Sequence, residues 1–129
     1  MSALIMPKKA DPARDLMSQL GDLSTVHVTS NRILVAQYIR EKIGSIQLAE
    51  VTKREDQWQG KAALVLKLGP QAYVDDAHTT FPEEDKVKVG DWIMVRPSDG
   101  QMCKVNGVLC KLIEERNVLM KIDAPERIY

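Results

Sequence analysis

At 129 residues the chain is the size of one domain, and 44% hydrophobic types are enough to bury a core without a metal or a disulfide. Eighteen basic residues balance eighteen acidic ones, which removes the field that draws proteins to nucleic acid or anionic membranes, and 5% aromatic content leaves little for base stacking. No apolar run reaches the length of a membrane span and the first residues lack the order of a secretory signal, so the expectation is a protein neither secreted nor membrane-embedded, with its two cysteines reduced.

Residues 1–30 read as an N-terminal arm, partly helical, distinct from the domain of residues 31–129. Asp11 is placed to cap a helix that has Pro12 at its first position, and Gly21 is placed to end it. Leu16, Met17 and Leu20 share one face. So short a helix is not stable alone in water. It either frays or orders when that face docks on a neighbour.

From Asn31 the apolar pattern changes to period two. Arg32 to Ile39 and Lys61 to Leu68 read as strands, the second apolar enough to be buried on both faces. Asp91 to Arg96 is a third. Asn106-Gly107, flanked by apolar residues, is a strong two-residue hairpin signal, and Asn117 to Ile122 closes the set. Short strands separated by Gly-Pro and Asp-Gly turns predict an all-β fold. Two connections exceed ordinary turns: a loop over residues 41–60 and an excursion over residues 69–90, which carries Asp75, Asp76, Glu83, Glu84 and Asp85.

Chemistry is sparse in this pattern. His27 and His78 have no cysteine or carboxylate at ligand spacing, so no metal or cofactor is expected. The run Phe81 to Lys86 lacks the alternation and glycine of a calcium loop. With a two-residue turn at Asn106-Gly107, Cys103 faces Cys110 in a hydrogen-bonded pair where a disulfide would be strained, and both read as small buried apolar residues. No nucleophile elbow, phosphate loop or zinc motif occurs, so an enzyme is not expected. The segment Gly44, Ser45, Ile46, Gln47, Leu48 differs in kind. It sets two apolar side chains at i and i+2 in a long polar loop, where a partner's groove could bury them for about 1.5–3 kcal/mol each.

The order of these pieces resembles the GroES-like co-chaperonin family: "NRILVAQYIREK", the loop with "GSIQL", "GKAALVLKLGP", "VKVGDWIMV" and "CKLIEERNVLMKIDAPERIY". The resemblance spans Asn31 to Tyr129, and "REDQWQGKAALVLKLGP" is similar to the variants that tailed bacteriophages encode. It implies a small β-barrel, a mobile loop that grips a chaperonin, a roof-like excursion and a homo-oligomeric ring or shell. The family's three consecutive apolar loop residues map to Ile46, Gln47 and Leu48, and burying the Gln47 amide in an apolar groove costs about 1–3 kcal/mol unless it is hydrogen-bonded. That departure favours a virion structural or assembly component, assembled in the host cytoplasm and contacting phage capsid, connector or tail proteins. The alternative is a phage co-chaperonin that caps the host chaperonin. For the oligomer, the first strand (Ile33, Leu34, Val35) is expected to pair with the tail of an adjacent copy through Val118, Leu119, Met120, Ile122, Ile128 and Tyr129.

Overall fold

A computed structural model describes residues 11–39 and 61–128. One helix, α1 (Pro12–Leu20), precedes six strands: β1 (Arg32–Gln37), β2 (Ala62–Leu68), β3 (Trp92–Met94), β4 (Gln101–Val105), β5 (Val108–Glu114) and β6 (Met120–Ile122). All strand pairs are antiparallel and form one sheet in the order β4-β5-β1-β2-β3-β6. The class is all-β, as the strand pattern predicts. The sheet is not closed, because β4 and β6 stand at opposite ends of the order and do not pair with each other.

β1 and β2 carry apolar side chains on both faces, and the sheet is therefore covered twice. Leu34, Ala36, Leu64 and Leu66 belong to a first core, which α1 covers with Leu16, Met17 and Leu20. Ile33, Val35, Ala63 and Val65 belong to a second core, covered by Tyr73, Phe81 and Val87 of the excursion. The first five residues of β2 are buried, as the sequence predicts for a strand enclosed on both sides.

The register of β1 against β2 shifts between Leu34 and Val35: Leu34 faces Lys67 while Val35 faces Val65. This bulge spends one extra residue on β2 and turns Leu66 and Lys67 toward the same side. Lys67 Nζ then donates to the carbonyl of Val26 at 2.7 Å, tying the chain that follows α1 to the sheet. Just beyond, Gly69 N donates to Arg32 O at 2.8 Å, and a Cβ on Gly69 would run into the backbone carbonyls of Thr29 and Ser30. Only glycine permits so close a crossing.

The β4–β5 hairpin has the expected turn. Asn106 and Gly107 both take positive φ, 50° and 82°, the conformation of a two-residue primed turn. Cys103 faces Cys110, Val105 faces Val108, and both cysteines are free. The side chain of Asn106 also donates to the carbonyl of Leu20, so the turn caps the end of α1 from across the fold.

Lys111, opposite Val35 on β5, is 1% exposed. Burial pushes its ammonium below the usual lysine range, against the attraction of Asp99. Its Nζ donates to Pro97 O at 3.0 Å and Arg96 O at 3.4 Å, which holds the turn between β3 and β4.

Two expectations are corrected here. The face of Leu16, Met17 and Leu20 docks on the chain's own sheet rather than on a neighbour, because the adjoining face of β1 and β2 is apolar and needs cover. Nor is β1 an edge: it pairs with β2 on one side and β5 on the other, so Ile33, Leu34 and Val35 are interior and closed to the tail of another copy. The helix is part of the core, with Leu20 1% exposed. Leu20→Ala is therefore expected to lower stability by about 2–4 kcal/mol through loss of transfer energy and a residual cavity, while the exposed Ser18→Ala on the same helix stays within about 0.5 kcal/mol. Urea denaturation of both variants checks this.

Candidate interaction surfaces

The excursion over residues 69–90 is built by short carboxylate bonds to backbone. Asp76 Oδ1 accepts from His78 N and Thr79 N, each at 2.7 Å, and Asp75 Oδ1 accepts from Phe81 N at 2.8 Å. Asp and Asn close turns in this way because their side chains mimic a backbone acceptor. The bond from Phe81, reinforced by Lys86 Nζ at 3.2 Å, holds the Asp75 carboxyl below the usual range. The acidic run that follows, Glu83–Asp85, is a single exposed 3-10 turn.

Tyr73 anchors this loop to the sheet. Its backbone takes φ 58°, uncommon for an aromatic residue, and is held there by its N–H, which donates to Glu115 Oε2 at 2.7 Å. Its ring meets Phe81 edge-on, with centroids 5.3 Å apart. Its hydroxyl donates to Glu115 O at 3.4 Å. Burial pushes the phenol up to about 12, helped by the charges of Glu115 and Asp85.

Between this loop and β6 lies a groove of about 280 Å³. Tyr73, Phe81 and Val118 supply its apolar wall; Glu84, Asp85 and Glu115 face it with negative charge, against Lys121. At its rim Leu119 and Met120 are each 43% exposed. Met120 begins β6, which has β3 on one side and no strand on the other among the described residues.

The residues singled out in the sequence separate in the structure. Leu119 and Met120 are surface residues beside an open strand edge. Val118 packs into the second core and Ile122 and Ile128 into the first, while Ile33, Leu34 and Val35 are fully interior. Gly44, Ser45, Ile46, Gln47 and Leu48, like Tyr129, lie outside the described residues. His27 and His78 are exposed, and among the described residues no group of three His, Cys, Asp or Glu side chains could hold a metal ion. Burial, with the neighbouring Cys103, pushes the Cys110 thiol up to about 11, and Cys103 is raised by burial alone, so neither is a ready thiolate.

Sequence reasoning missed the Tyr73–Glu115 anchor and the groove it builds. The two residues are far apart in the chain, and the only sequence signal was a pair of aromatics and an acidic run within one long loop. No protein-family model matches the chain, and a comparison with curated proteins finds no match.

Tyr73 yields a direct test. A phenol whose folded pKa is raised contributes stability that is fully present below about pH 10, the unfolded value, and is lost as pH rises toward 12. In an alkaline absorbance titration, the tyrosine phase removed by Tyr73→Phe is expected to have its midpoint at about 12.

Proposed function

We propose that the chain is a non-enzymatic phage protein of GroES-like fold, acting as a structural or assembly component of the virion through contacts with capsid, connector or tail proteins. The resemblance over Asn31 to Tyr129 supports this reading, as does an antiparallel sheet whose two end strands have no second neighbour among the described residues. The observation that carries it is the exposure of Leu119 and Met120 beside an edge of β6 that has no strand neighbour among the described residues. A strand edge that offers unpaired backbone groups and apolar side chains is a template for pairing with another chain. Working proteins cover such edges, and a ring or shell of copies, or a neighbouring virion protein, would cover this one.

Two outcomes test the reading. Mass spectrometry of purified particles is expected to find the protein at a fixed copy number, whereas absence from particles together with tight, ATP-dependent binding to a host chaperonin would assign it as a co-chaperonin. The substitution Gln47→Val is expected to weaken assembly about tenfold, because a partner fitted to the amide loses its hydrogen bond. In a chaperonin's apolar groove the same substitution would strengthen binding by a similar factor, so the sign of the change in a pull-down or titration separates the two.

A further inference from the structure

We infer that the groove between the excursion and β6 receives the N-terminal segment, residues 1–10, of a second copy of this chain. The apolar part of the site is the wall of Tyr73 and Phe81 with the exposed rim of Leu119 and Met120. Its net charge is negative: Glu84, Asp85 and Glu115 line it against the single cation Lys121, and Glu84 and Asp85 have no salt bridge among the described residues. An occupant that fits must bring consecutive apolar residues followed by positive charge.

The chain itself contains that sequence. Leu4, Ile5 and Met6 are consecutive, then Pro7, then Lys8 and Lys9. A strand added along the edge of β6 would set the first three against Leu119 and Met120, and the lysines would reach the carboxylates. Pro7, which has no N–H to donate, marks the end of such a ladder. The segment comes from another copy because of where it is tethered. It leads directly into α1, which lies over the first core, whereas the groove is walled by residues of the second core on the opposite face of the sheet. Ten extended residues span at most roughly 35 Å, and within one chain that length would have to round the sheet to reach the groove. A neighbour's segment enters without the detour. This exchange is independent of which assembly the protein serves, so its failure and that of the virion reading are read in different experiments.

Cross-linking between two differently tagged full-length forms tests it. One carries Met6→Cys, the other Leu119→Cys, and a short thiol-reactive cross-linker is added after mixing. Heterodimer is expected at least fivefold above a control in which Val89→Cys, an exposed apolar site elsewhere, replaces Leu119→Cys. Adding Glu84→Lys and Asp85→Lys to the Leu119→Cys form should remove that excess, and pairing it with a Met6→Cys form that also carries Lys8→Glu and Lys9→Glu should restore it. Raising the salt concentration should lower the yield of the unreversed pair. Circular dichroism verifies folding, and Glu84→Gln with Asp85→Asn replaces any reversal that unfolds. Equal yield with the Val89→Cys control, indifference to charge reversal, or a cross-link formed only within a single chain bearing both cysteines would each overturn the inference.

Discussion

Two neighbouring strands that are apolar on both faces set the terms for the rest of this molecule. β1 and β2 together bury Ile33 to Ala36 and Ala62 to Leu66 almost completely. A two-sided apolar sheet loses stability at roughly 25 cal/mol for every Å² left wet, so each face must find a cover. A chain of this length has few elements to spare for that purpose. It spends α1 and the segment after it on one face and the excursion over residues 69–90 on the other.

Each cover is locked by polar bonds that the sheet supplies. Lys67, turned toward the first face by the bulge, bonds to Val26 O, and Asn106 at the hairpin tip bonds to Leu20 O. On the second side Glu115 accepts from Tyr73 N, and Lys111 holds the carbonyls of Arg96 and Pro97. These four side chains are charged or amide groups set at the margins of apolar surfaces, where a bond to a backbone group satisfies the buried partner on both sides. The fold is thus a sheet covered by a helix and its following segment on one face and by a long loop on the other, with polar pins at its borders.

With both of its faces covered internally, the described sheet offers other molecules its perimeter. The ends of the strand order, β4 and β6, lack a second strand neighbour among the described residues, and Leu119 and Met120, two of the exposed apolar residues, stand at one of them. The face of α1, whose amphipathic pattern invites an interaction role, is consumed within the chain. An apolar face in a sequence is only a demand for burial; the structure shows whether that demand is met at home.

The helix with its Asp11 cap and Gly21 stop, the strand read at Lys61 to Leu68 and found at Ala62–Leu68, the Asn106-Gly107 turn and the facing of Cys103 and Cys110 were all legible without a structure. Each depends on residues within a few positions of one another, where local sterics and hydrogen bonding decide. The place of β1 in the sheet, the surface on which α1 docks, and the meeting of Tyr73 with Glu115 and of Lys111 with Arg96 and Pro97 were not. Those are choices among partners far apart in the chain, and local pattern carries no term for them. The pairing expected between the first strand and another copy's tail needs β1 at an edge; the sheet instead pairs it with β5 as well as β2, so its backbone is satisfied on both sides within the chain. The sequence by itself determined which segments are helix, strand and turn and how much surface must be hidden, since these are properties of short stretches. Only the tertiary structure decided which surfaces hide one another and which are left open, because burial is shared between distant residues and is settled by their packing as a whole.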